Sequence, residues 1–305
     1  MDASFITVNE TDRIAYQYEA NGFRPEKDKT KLKKMDDGRI VRRLEDVVDQ
    51  DKPTQKPLVI MVHDFPDAHA FLGEGRNLSD TYKDRLHFDG FPTLQFHFRG
   101  CGISDGRQQD FCFDTAVEDL NAVMEWASFT YGHDRFAIIA AGLGASVVAQ
   151  TYNKDTMSSL VFLWPVFNPM DTPLNAINTL ENRNFMTEHD YAQLGPNKIG
   201  LLLANEMRQL DTKPLLSQIK TATQIQQGTA DTYTPYEKTD VIKQYLTGLV
   251  DFGVFEDGEH YLPDPKMRKQ MVDNTLYFLN TYAYTKPPGK NPEIDKGRIF
   301  RNQGR

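Results

Sequence analysis

A doubly wound α/β fold with a mostly parallel sheet is what this chain predicts, on three observations. From residue 56 onward, strand-like and helix-like stretches alternate, the pattern that builds parallel strands joined by right-handed helical crossovers. The run Phe136-Ala-Ile-Ile-Ala140 is continuously apolar, as suits a strand covered on both faces. It passes through Ala141-Gly-Leu-Gly144 into Ala145-Ser-Val-Val-Ala149, a small-residue helix able to lie close against that strand. A length of 305 residues fits one such domain carrying an insertion. The expected division is a domain over residues 1–285, interrupted by an insertion at about 21–55 and a cap at about 166–215, followed by a basic tail over 286–305.

Composition narrows the function classes. With 39% hydrophobic and 26% charged residues the chain reads as soluble and globular, and it contains no apolar run long enough for a membrane span. The amino terminus lacks the basic and long apolar regions of a secretory leader. The two cysteines, Cys101 and Cys112, are too few for a disulfide scaffold and have no metal-ligand company. The expected location is the cytoplasm or another reducing compartment, such as an organelle matrix, with no metal and no cofactor. A net charge of −8 argues against general nucleic-acid binding.

Taken in order, residues 4–9 and 13–19 alternate apolar and polar about a turn and predict a hairpin. Residues 21–55 carry Lys27, Lys29, Lys31, Lys33 and Lys34, a solvated insertion or a basic docking arm. Strands are expected at 56–65 and 92–98, with an interrupted helix at 69–86 between them. An amphipathic helix spans 113–130, with Ala116, Leu120, Val123, Met124 and Ala127 on one stripe. After the strand and helix of 135–153 comes another buried strand at 157–165. From 166 to 215 the alternation stops among Asn168-Pro, Thr172-Pro and Gly195-Pro, which predicts a small helical cap with a helix at 199–209. Phe167, Met170, Leu174, Phe185, Met186 and Tyr191 are its candidates to line an acyl pocket, or to pack the cap. Strands at 221–226 and 249–255 and a closing helix at 264–282 complete the sheet. The tail sets Lys286, Lys290, Lys296, Arg298, Arg301 and Arg305 against Glu293 and Asp295.

Arg99-Gly-Cys-Gly-Ile-Ser104, after a strand, resembles the R-G-x-G-x-S segment of the α/β-hydrolase superfamily and implies a structural loop beside the active site. Its spacing does not match a nucleotide-binding glycine loop. His97 stands where many relatives carry aspartate and is read as structural. The strand-turn-helix of 136–149 is similar to the nucleophile elbow G-x-S-x-G of that superfamily. On this pattern Ala140 and Gly144 take the glycine positions and Gly142 takes the place of the serine. The same residues, with Val166-Phe-Asn-Pro-Met-Asp-Thr172, resemble serine-aminopeptidase-like hydrolases and the fatty-acyl thioesterase/acyl-transferase of bacterial luminescence operons.

The resemblance implies a triad with its nucleophile missing. Asp231, in Gln227-Gly-Thr-Ala-Asp231, stands at the acid position, and His260, after the last strand, at the base position; the order nucleophile, acid, histidine is that of the superfamily. Phe65 and Leu143 would supply the backbone N–H pair of the oxyanion hole. Asp64, where relatives commonly carry glycine, is a carboxylate beside a site meant to hold negative charge. Ser146 lies a helical turn past the elbow, and Cys101 lies on a neighbouring loop, so neither is placed to replace the serine.

Two functions follow. One is a non-catalytic subunit of a larger assembly, docked through residues 21–55 and 286–305, or a pseudo-hydrolase that binds an acyl-type small molecule. The other is an ester or thioester hydrolase or acyl transferase, whose serine was replaced by Gly142 or which acts through water activated by His260.

Overall fold

The crossover pattern resolves into one eight-stranded sheet in a computed structural model that describes residues 4–8, 11–20, 33–34, 40–41, 56–65 and 78–283. Strands β1 (Ser4–Val8) and β2 (Asp12–Glu19) form the expected antiparallel hairpin. A short ladder, β3 (Lys33–Lys34) with β4 (Ile40–Val41), lies within the insertion. The rest of the insertion, residues 66–77 and the tail of 286–305 fall outside the described residues.

The parallel strands follow: β5 (Leu58–Val62), β6 (Thr93–Phe96), β7 (Phe136–Ala141), β8 (Met157–Leu163), β11 (Ala222–Gly228) and β12 (Val250–Phe255). The sheet order is β1-β2-β6-β5-β7-β8-β11-β12, with β2 antiparallel to β6 and every later pair parallel. Parallel strands place all their C-terminal ends, and the loops that leave them, along one edge of the sheet. The residues singled out for chemistry all follow such ends.

Alternation of side chains across the pleat divides the core in two. Ile60, Val62, Ile138 and Ala140 pack with Leu120 and Val123 of α2 (Phe113–Tyr131) and Val147 and Val148 of α3 (Gly144–Thr151). Val59, Met61, Ala137 and Ile139 face Tyr82 and Leu86 of α1 (Leu78–Phe88) and Met271, Val272, Leu276 and Leu279 of α8 (Pro265–Tyr282). Helices on both faces explain why β5 and β7 read as unbroken apolar runs. The helix expected to end near residue 86 runs to Phe88.

Between β8 and β11, in the segment expected to form a cap, lie two 3₁₀ turns (Pro169–Asp171 and Pro173–Asn178), α4 (Leu180–His189), α5 (Leu201–Gln209) and α6 (Thr212–Gln218). The segment also holds a hairpin that the sequence did not suggest, β9 (Ala192–Leu194) with β10 (Asn197–Ile199). Its loop is two residues, Gly195 and Pro196, with Gly195 at φ +59°. The hairpin and α5 are fastened to the segment before α2: Lys198 N–H donates to Gln108 Oε1 at 2.8 Å, and Glu206 accepts from the N–H groups of Phe113 and Asp114 at the start of α2. Helix α7 (Tyr236–Ile242) links β11 to β12. Among the described residues no helix is long and apolar enough to cross a membrane.

Candidate active site

The turn between β7 and α3 is built by backbone shape before any side chain enters. Gly142 holds φ +50°, its N–H donates to Leu163 O at 3.1 Å, and its carbonyl accepts from Val166 N–H at 2.9 Å. Gly144 lies so close to β5 that a Cβ there would stand 2.6 Å from the His63 carbonyl oxygen. Small residues at 140–142, 144 and 145 therefore satisfy a close helix–strand approach.

Asp64 governs this corner. Its carboxylate is buried, and Oδ1 accepts from Phe65 N–H at 2.7 Å and from Leu143 N–H at 2.6 Å. A Cβ on residue 142 would lie 2.0 Å from both Asp64 Cγ and Oδ2. The space of an elbow side chain is thus filled by a carboxylate reaching across from the next strand. His63, also buried, accepts from Phe98 N–H through Nε2 at 3.0 Å. Its other nitrogen, Nδ1, therefore carries the proton of the neutral ring and donates it to Asp64 O at 2.6 Å.

Asp231 and His260 meet across the loops after β11 and β12, with Nδ1 of His260 2.8 Å from Asp231 Oδ2. Asp231 also accepts from Tyr233 N–H (2.9 Å), Thr234 N–H (2.8 Å) and the Thr234 hydroxyl (2.6 Å). A carboxylate only accepts, so His260 Nδ1 carries a proton and Nε2 of the neutral ring is the bare acceptor. That Nε2 is buried and has no hydrogen-bond partner among the described residues. Three aromatic rings pack around the imidazole, Tyr261 at 3.9 Å, Tyr233 at 4.7 Å and Trp164 at 6.0 Å between centroids. Trp164, at the end of β8, and Tyr261 take positive φ of 38° and 64°, a strained choice for large side chains. Sequence reasoning missed these three rings; the signal available was only that each follows a strand end or adjoins the acid or the histidine.

The remaining candidates are structural. Ser146 Oγ is fully buried and donates to Val166 O at 2.5 Å. Burial pushes the Cys101 thiol far above its ordinary range, the reverse of what a nucleophile needs. Arg99 is bound through its N–H (2.7 Å) and Nε (2.6 Å) to Asp119 of α2, and Ser104 Oγ donates to His97 O at 2.6 Å and accepts from Ala15 N–H at 2.9 Å. The Arg99–Ser104 loop is thereby pinned to β2 and α2. Of the cap residues expected to line a pocket, Leu174 and Met186 are buried in the core and Phe185 lies exposed against His189. Only Phe167 of that group lines the small cavity of about 30 Å³ between the start of the cap and α7, with Val166, Thr172, Thr234, Thr239 and Ile242. Among the described residues no group of three or more His, Cys, Asp or Glu side chains could hold a metal ion.

Comparison with known proteins agrees with this architecture. An acyl transferase of Aliivibrio fischeri is 26% identical over 165 residues, which are 53% of this chain and 47% of that protein. The chain thus spans about half the length of the curated relatives it matches. Est1E from Butyrivibrio proteoclasticus, solved with ferulic acid bound, superposes with a TM-score of 0.67 at 14% identity, over 91% of this chain and all of that one. Alpha/beta hydrolase domain-containing protein 10 from mouse gives 0.64 at 12% identity, over 92% and 99%. Identities this low show a shared fold alone. The alpha/beta hydrolase fold family matches residues 57–218, more than half of the sequence, and the chain belongs to that family.

Proposed function

We propose that this chain is a pseudo-hydrolase, a member of its family in which serine-type acyl transfer is off and which serves as a non-catalytic subunit or as a binder of an acyl-type ligand. In this reading Gly142 occupies the nucleophile position, Asp231 and His260 are the acid and base positions, and Phe65 and Leu143 offer the N–H pair of the oxyanion hole. The observation that carries it is at residue 142: there is no side chain to attack a carbonyl, and the Asp64 carboxylate stands where that side chain would be. A tetrahedral intermediate would bring a second negative charge to donors that Asp64 already engages. The cavity beside Phe167 is the candidate place for an acyl-type ligand, and residues 21–55 and 286–305 are the candidate docking segments.

A second reading, hydrolysis by water activated at His260, is favoured by one feature, the bare Nε2 held by the Asp231 contact. It meets the same obstacle, since loss of a single oxyanion donor costs a working hydrolase about 10²- to 10³-fold in turnover. The test is incubation of the unmodified protein with p-nitrophenyl acetate and, separately, with a serine-directed fluorophosphonate. The proposal expects no turnover that His260→Ala removes and no phosphonylated serine. His260-dependent turnover would establish the second reading instead.

A further inference from the structure

We propose that Asp64 is a built-in ligand of the Phe65 and Leu143 amides: the chain holds its own anion-binding site shut, and a ligand carboxylate or carbonyl enters only in exchange for that side chain. The inference rests on the reading of these amides as the oxyanion pair and goes further by naming what controls access to them.

The geometry is that of a bound anion. One oxygen, Oδ1, takes both donors at 2.7 and 2.6 Å, lengths at the short end of the range, where charge assists the bond. Phe65 N–H is local to Asp64, but Leu143 lies 79 residues away and opens α3, whose dipole favours negative charge at this end. A carboxylate only 2% exposed is costly to bury unless donors surround it, so this burial identifies the pocket as one built for negative charge. The plug is also aimed. Both ring nitrogens of the preceding His63 are engaged, one by Phe98 N–H and one by Asp64 O, which fixes the backbone from which the carboxylate projects.

Plug and nucleophile exclude each other. A Cβ at residue 142 would lie 2.0 Å from Asp64 Oδ2, well inside any allowed contact, so this chain accommodates a side chain at 142 or the carboxylate of Asp64 in this pose, not both. Glycine at 142 is thus the condition under which a closed site can form, as well as the loss of a serine.

The test compares the full chain with Asp64→Gly by thermal unfolding as sodium acetate is titrated at constant ionic strength against sodium chloride. Asp64→Gly is expected to gain a saturable rise in Tm of about 4 °C, the signature of a ligand that binds only the folded state, while the unmodified chain gains less than about 1 °C. Equal responses of the two proteins overturn the proposal. Amide hydrogen exchange on the unmodified chain supplies a check that does not depend on the variant folding: Phe65 and Leu143 are expected among the slowly exchanging amides, and exchange of either at the rate of an exposed amide overturns the proposal. Ester turnover by the unmodified chain would sink the pseudo-hydrolase reading and leave the acetate comparison to decide this one.

Discussion

At residue scale, Gly142 holds a left-handed φ of +50° with an aspartate carboxylate 2.0 Å from where its Cβ would be. Serine alone at this position would pay for the backbone conformation and for displacing Asp64, together about 3 kcal/mol. Urea unfolding of Gly142→Ser should show that loss, and the double variant Asp64→Gly/Gly142→Ser should lose less than the sum of the two single losses; strict additivity would mean that the two positions do not touch. Cys101, 4% exposed and with its thiol pushed up by burial, should resist iodoacetamide at pH 8 in the folded chain and react once it is unfolded. Rapid labelling of the folded chain would contradict its placement. The Asp231–His260 contact and the tight turn at Gly142 were legible in the sequence because all three residues follow strands. Asp64 was legible only as an acid in an awkward place: which way a carboxylate points depends on a side-chain torsion and on donors 79 residues away, and neither leaves a local mark.

At the scale of elements, the buried strands were legible because parallel strands covered on both faces need uninterrupted apolar runs. The β9–β10 hairpin was not, since three-residue strands carry too few residues to show a period. The attachment of the cap to α2 through Glu206 is likewise a tertiary event. Glu206 caps the first N–H groups of a 19-residue helix, so Glu206→Ala should cost about 1 kcal/mol in urea unfolding. Burial raises the Glu206 pKa above its ordinary value of 4.5, the capping N–H groups opposing the shift without cancelling it. A raised folded pKa means that the stability tied to the neutral form is present below about pH 4.5 and is lost as pH rises through the shifted value. Glu206→Gln should lack that slope. A pH profile of unfolding identical for the two proteins would contradict the burial of this carboxyl.

For the whole molecule, the tail sets six basic side chains against two acidic ones on a chain of net charge −8. If residues 286–305 serve docking and not the core, their removal should leave Tm within about 2 °C while weakening association with a partner recovered from the native source. Collapse of the fold on truncation would place them in the core instead. The body itself holds Asp231 and His260 together at 2.8 Å, while residue 142 offers no side chain. The Asp231–His260 contact also joins the loops after β11 and β12 and seats Trp164, Tyr233 and Tyr261, which gives the pair structural work without turnover.

The central claim, that the site is closed by Asp64 as well as deprived of its serine, is tested most directly by turnover of p-nitrophenyl acetate. Four proteins are compared: the unmodified chain, Gly142→Ser, Asp64→Gly and the double variant. The account predicts background rates for the first three and, for the double variant, a rate about 10²-fold or more above Gly142→Ser that His260→Ala abolishes. Full activity in Gly142→Ser alone would show that the carboxylate does not block the amides, and would contradict it.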